Sequence, residues 1–131
     1  MVDAAKETVL KTWEDDELKC VSYLTIDSSG LLWIGTYNGV MAYDNSADKL
    51  TRYDLVEDRS VRVNSIFESK DRNIWAGTGD GLILMEKGTT TKKLYTEEDG
   101  LANNSVSSII EDNDGYLWIS TLNGLSRLDR K

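Results

Sequence analysis

The residues able to do chemistry in this chain fall into a few short groups. Asp112-Asn113-Asp114-Gly115 has the spacing that opens a calcium loop. The remaining ligands and the bidentate glutamate are missing, and an Asx turn accounts for the segment. Gly77-Thr78-Gly79-Asp80-Gly81 is glycine-rich, but it falls in a hairpin, with no helix N-terminus to hold a phosphate. The single cysteine, Cys20, has no intrachain disulfide partner, which leaves the redox compartment open. It matches Ser105 of a later repeat at the opening of a strand and reads as a small structural residue. The tryptophans could stack on sugar rings. There is no histidine among the 131 residues, which excludes Ser-His-Asp and Cys-His nucleophiles, HExxH zinc helices and histidine acid–base catalysis. Carboxylates alone could act as acid and base, but no two are paired at a defined site. We expect no catalysis, no metal and no cofactor.

What positions these residues is a repeat. Trp33, Trp75 and Trp118 stand 42 and 43 residues apart. Nine residues before each comes Leu24, Ile66 or Ile109, and six after each comes Gly39, Gly81 or Gly124. A period of about 40–45 residues, rich in short apolar runs, predicts propeller blades. Each unit reads as four strands, a to d. Strand a is Val21–Asp27, Val63–Glu68 or Val106–Glu111. Strand b ends at Thr36, Thr78 or Thr121, and its continuous apolar run suits a strand covered on both faces. Strand c follows the glycine, and strand d ends at Tyr53 or Tyr95. Asn38-Gly39, Asp80-Gly81 and Asn123-Gly124 predict tight b–c hairpins. Gly30 and Gly115 serve the a–b turns, where the second repeat has Arg72. The placement of the three tryptophans inside apolar strands favours packing between blades over sugar stacking; Trp13, beside an acidic loop, is less constrained.

The whole of 1–131 is expected to be one all-β, β-propeller module of three four-stranded blades. Residues 1–20 carry a blade-completing strand, 21–62 form blade one, 63–104 blade two, and 105–131 an incomplete blade three. Leu10 and Trp13 match Leu50 and Tyr53 in spacing, so the chain reads d, abcd, abcd, abc. Three blades fall below the ~4–8 of a ring, and open ends expose apolar faces. A homodimer closing a six-bladed ring is expected, with Leu10–Trp13 of one chain completing the Leu125–Asp129 blade of the other.

The repeat resembles that of the two-component regulator propeller family, whose consensus runs approximately I-x-x-D-x-x-G-x-L-W-I-G-T-x-x-G-L-x-x-Y-D followed by a D-G-L-x-x-N-x-V junction. The first copy matches through Asp27, Gly30, Leu32, Trp33, Ile34, Gly35, Thr36, Gly39, Tyr43 and Asp44. The third matches through Asp112, Gly115, Leu117, Trp118, Ile119, Thr121, Gly124, Leu125 and Asp129, with Ser120 in place of glycine. The junction appears as Asp99-Gly100-Leu101 with Asn104 and Val106, while the second copy departs at Ser69, Arg72 and Val61. The resemblance implies a sensor-type module of bacterial hybrid kinases, extracytoplasmic and recognising carbohydrate oligomers. Propeller lyases with blades of similar length use histidine and a divalent metal in their lactone-opening chemistry, and histidine is lacking here.

The charge pattern narrows the partners. Fifteen basic against 23 acidic side chains give a net charge of −8, which argues against nucleic acid. No apolar run approaches the ~20 residues that cross a bilayer. The N-terminus lacks the apolar core of a signal peptide, so an extracytoplasmic address rests on the resemblance, with a cytoplasmic protein or a fragment as the alternative. In a propeller the d–a and b–c connections share one face. That face would gather Glu14, Asp15, Asp16, Glu17, Asp54, Glu57, Asp58, Glu97, Glu98, Asp99 and Asp80, against Lys19 and Arg59; the bland account is a soluble acidic surface. Lys49, Lys70, Arg72, Lys87, Lys92, Arg130 and Lys131 fall on the other face. The candidate ligand residues are Tyr37, Asn38, Asp80, Asn103, Asn104 and Asn123, for a neutral glycan rather than an anionic polymer. The alternative is a structural or protein-interaction scaffold, including an engineered or excised blade set, with no small ligand.

Overall fold

The computed structural model describes residues 8–13, 18, 20–53, 61–86 and 92–129. Its strands are β1 (Val21–Ile26), β2 (Leu32–Thr36), β3 (Gly39–Asp44), β4 (Lys49–Tyr53), β5 (Val63–Glu68), β6 (Ile74–Thr78), β7 (Gly81–Met85), β8 (Lys92–Tyr95), β9 (Val106–Glu111), β10 (Leu117–Thr121) and β11 (Gly124–Leu128). They form three antiparallel sheets resembling propeller blades, in the orders β1-β2-β3-β4, β5-β6-β7-β8 and β11-β10-β9. Strands β1, β5 and β9 lie side by side as the innermost strands.

The third sheet differs from the expected four strands. Among the described residues it ends at β11. Residues 8–13, read as a strand d, lie over the first sheet: Trp13 meets Tyr43 edge to face at 5.2 Å, and Lys11 Nζ is 3.3 Å from Asp48.

The turns follow from their residues. In each b–c hairpin the threonine hydroxyl donates to the glycine carbonyl at 2.8 Å and accepts the N–H of Asn38, Asp80 or Asn123. Gly81 has φ +133°, and a Cβ there would stand 2.5 Å from the Tyr95 carbonyl oxygen. In the a–b turns Arg72 takes the left-handed conformation, φ 68°, that Gly30 and Gly115 take in the other copies. Cys20 sits in a turn just ahead of β1, exposed and left-handed.

The sheets pack face to face through two cores. Trp33, Val40 and Ala42 lie on Val63, Ile66, Ile74, Ala76, Ile83 and Met85. Trp75, Leu82 and Leu84 lie on Val106, Ile109, Leu117 and Ile119. The glycine after each buried tryptophan is demanded by the neighbouring sheet. A Cβ at Gly35 would be 2.8 Å from Val63 Cγ1, and one at Gly77 would be 2.7 Å from Val106 Cγ1. Polar clasps repeat along the same seams. Ser22 Oγ donates to the Val63 carbonyl at 2.5 Å and Asn64 Nδ2 to the Val106 carbonyl at 2.7 Å. At the other end, the Ser28 and Lys70 N–H groups donate to Glu68 and Glu111.

Candidate functional site

The register decides which loops share an end. Val21 pairs with Thr36, Val63 with Thr78 and Val106 with Thr121, so each b–c turn lies beside the start of strand a. The Gly79 N–H donates to the Arg62 carbonyl and the Leu122 N–H to the Ser105 carbonyl, both at 3.1 Å. Tyr37, Asn38, Asp80, Asn103, Asn104 and Asn123 therefore stand at one end of the three sheets.

Their chemistry differs. Tyr37 is 45% exposed, and the Arg62 guanidinium stacks on its ring, 4.4 Å from the centroid. Asn38, Asp80 and Asn123 tip the three hairpins. Asn103 Oδ1 accepts the Ser105 N–H at 2.9 Å, and Asn104 Oδ1 accepts the Glu97 N–H at 2.7 Å. These two amides tie the connection from β8 to β9, where Glu97–Asp99 form a 3-10 turn capped by Thr96 and closed by Gly100. The six residues share an end of the three sheets. Two grooves between the sheets are lined by other residues, among them Trp33, Tyr53, Ile74 and Met85 in one and Trp75, Leu84, Tyr95 and Leu128 in the other.

Of the acidic face, Asp80, Glu97, Glu98 and Asp99 are seen at this end; Glu14–Glu17, Asp54, Glu57, Asp58, Lys19 and Arg59 lie outside the described residues, as do Lys87, Arg130 and Lys131 of the opposite face. Among the described residues no three His, Cys, Asp or Glu side chains are grouped to hold a metal ion, and no helix is long and apolar enough to cross a membrane.

The opposite end holds what the sequence reading missed. Trp33 Nε1 donates to Asp27 Oδ2 and Trp118 Nε1 to Asp112 Oδ2, each at 2.8 Å, and Trp75 Nε1 donates to Ser69 Oγ at 3.1 Å. The carboxylate's other oxygen accepts turn N–H groups, from Ser29 and Leu31 at Asp27 and from Asp114 and Tyr116 at Asp112. Burial pushes the Asp27 carboxyl up, but the bonds from Ser29, Trp33 and Leu31 outweigh it and hold the group below its usual range. Asp112 is held low chiefly by the Trp118 N–H. The Asx turn is thus also the anchor of the core tryptophan. The constant six-residue spacing from turn acceptor to tryptophan was the available signal.

Comparison with known proteins places this geometry. Residues 18–38, 57–80 and 100–123, more than half of the chain, match the two-component regulator propeller repeat. Over 112 residues the chain is 38% identical to histidine kinase P4 of Formosa agariphila, covering 80% of this chain and 8% of that protein. The extracellular domain of the hybrid two component system BT3049 from B. thetaiotaomicron aligns with a TM-score of 0.79 at 27% identity, covering 96% of this chain and 18% of that one. Virginiamycin B lyase from Staphylococcus aureus aligns with a TM-score of 0.72 at 20% identity, over 88% of this chain and 40% of the lyase. The chain spans a minor part of each relative's length.

Proposed function

Because the chain belongs to the two-component regulator propeller family, we propose that it is a ligand-binding module of sensor type, facing the extracytoplasmic side, with a neutral oligosaccharide as its class of ligand. It is a propeller module related to the sensor domains of two-component systems. The observation that carries the ligand reading is Tyr37: an exposed aromatic ring, stacked by Arg62, at an end where two of the three hairpin tips carry amides. A sugar's C–H face suits such a ring, and amides satisfy hydroxyl groups without demanding charge. Asn38 and Asn123 supply those amides, and Asp80 an acceptor. Asn103 and Asn104 serve chiefly to shape the connection between them. Turnover is not part of this reading. The lyase shares the fold, but its catalytically inactive form carries a histidine-to-alanine change, and this chain has no histidine.

Titration calorimetry against a panel of neutral oligosaccharides tests the proposal. A binder is expected whose affinity depends little on salt and falls about tenfold, the equivalent of ~1.4 kcal/mol, in Tyr37→Ala. Absence of heat across the panel, or salt-sensitive retention on heparin, would overturn it. The scaffold reading has its own support in the exposed apolar faces of the outer sheets, where Leu24 and Leu125 stand in the open.

A further inference from the structure

Equivalent positions of the repeat have opposite fates in the two outer sheets. Ile66 and Ile109 are 2% and 6% exposed, each covered by the preceding sheet, whereas their counterpart Leu24 is 59% exposed. Val40 and Leu82 are fully buried beneath the following sheet, whereas their counterpart Leu125 is 62% exposed. The first sheet therefore presents the receiving half of the inter-sheet interface, and the third sheet presents the inserting half.

The N-terminal segment strengthens this reading. In one covered groove Tyr53, at the end of strand d, stands beside Met85 of the next sheet; in the other Tyr95 stands beside Leu128. Trp13 stands beside Tyr43, the position equivalent to Met85 and Leu128, in a groove of about 290 Å³ with Leu24, Leu32 and Ile34. Residues 8–13 thus lie where the outer strand of a preceding blade would run. The two covered grooves also hold Trp33 and Trp75, whose counterpart is Trp118, at the far end of the chain.

We propose that a second copy of this chain docks here, the third sheet of each copy seating Trp118 and Leu125 on Leu24, Leu32 and Tyr43 of the other. Two such contacts close six blades, within the ~4–8 of a ring. The inner clasp continues at Ser107, the counterpart of Ser22 and Asn64, whose hydroxyl would donate to the Val21 carbonyl. This surface is independent of any ligand at the hairpin end. Three residues make the contact weaker than the internal ones. Ser120 replaces the glycine that makes room for Val63 or Val106, so its Cβ would press on Val21. Ile26 replaces the clasping Glu68 and Glu111. Arg127 replaces Ala42 and Leu84, and its guanidinium lies over Tyr116 and Trp118 at 4.6 and 5.5 Å.

The test is solution mass by light scattering on the full chain across a concentration series. The expected result is a reversible species of twice the 14.7 kDa chain mass. Leu24→Glu, at a surface position, should give a folded monomer with an unchanged circular dichroism spectrum. Ser120→Gly should tighten association about tenfold by relieving the crowding. A monomer throughout the series overturns the proposal, as does a dimer indifferent to Leu24→Glu. A dimer whose dissociation constant ignores Ser120→Gly overturns the register.

Discussion

Blade two, residues 63–95, is covered on both faces, while blades one and three each have one face on a neighbour and one in the open. The three share a sequence pattern, yet Trp75 and Ile66 are buried while Leu24 and Leu125 are not. A repeat specifies which residues belong to an inter-blade core. Whether they enter it depends on the next blade. The same apolar side chain therefore contributes little in one copy and several kcal/mol in another, because the hydrophobic term follows the area removed from water.

The largest expected effect separates the two tryptophans. Trp75→Ala should destabilise by about 3–5 kcal/mol, through lost burial and a residual cavity between two sheets. Trp118→Ala, on the outer face, should cost about 1–2 kcal/mol when measured at dilution. Urea melts of both variants check this. Equal losses would break the contrast between covered and open faces.

Next comes the glycine that the neighbour demands. Gly77→Ala would place a methyl group 2.7 Å from Val106 Cγ1, on a backbone that otherwise accepts alanine. We expect a loss of about 1–3 kcal/mol from overpacking, again read from urea midpoints. At Ser120 the third blade already carries a side chain, whose hydroxyl is 2.7 Å from that of Ser108. A neutral Gly77→Ala would mean that the spacing between the second and third sheets is loose.

Much of this was legible in the sequence. The tryptophan period, the Asn-Gly and Asp-Gly hairpins and the apolar runs give the strand order of each blade, because all three are local signals with fixed geometry. Strand d of the first two blades falls at Lys49–Tyr53 and Lys92–Tyr95, as read. The resting place of residues 8–13 was not legible: the spacing of Leu10 and Trp13 marks a strand d, but the sheet it lies on is a tertiary matter. At the candidate site, the shared end followed from topology. That Asn103 and Asn104 spend their carbonyl oxygens on turn N–H groups did not, because an amide in a loop reads alike whether it faces a ligand or its own backbone.

A smaller effect concerns acid. Asp27 and Asp112 are held below the usual carboxylate range by hydrogen bonds that the unfolded chain lacks. Depressed groups of this kind contribute stability that is full above the unfolded value of ~3.9 and is lost as pH falls through the folded value. Blade two uses the Ser69 hydroxyl for the same tryptophan bond, and that hydroxyl in turn donates to the Asp71 carboxylate, so the tryptophan there meets no carboxylate directly. The double variant Asp27→Asn/Asp112→Asn should therefore be less stable at neutral pH and show a flatter acid limb below about pH 5. An acid limb as steep as the parent's would place the titrating groups elsewhere.

The smallest expected effect has the opposite sign in blades two and three. Ser65 and Ser108 are equivalent residues of strand a. Ser108 faces Ser120, and its N–H and hydroxyl both meet Ser120 Oγ, at 3.0 and 2.7 Å. Ser65 faces Gly77, is buried against the third sheet, and among the described residues its hydroxyl has no partner. A buried hydroxyl without a partner carries its desolvation cost uncompensated, whereas removing one member of an exposed pair forfeits only a modest bond. Ser65→Ala should thus stabilise by about 0.5–1 kcal/mol, while Ser108→Ala should destabilise by no more than about 0.5 kcal/mol. The pair is compared most directly by thermal midpoints of the two variants in one buffer. If Ser65→Ala instead lowers the midpoint, its hydroxyl has a partner in solution, and the seam between the second and third sheets is wetter than the packing of Val106 on Gly77 allows.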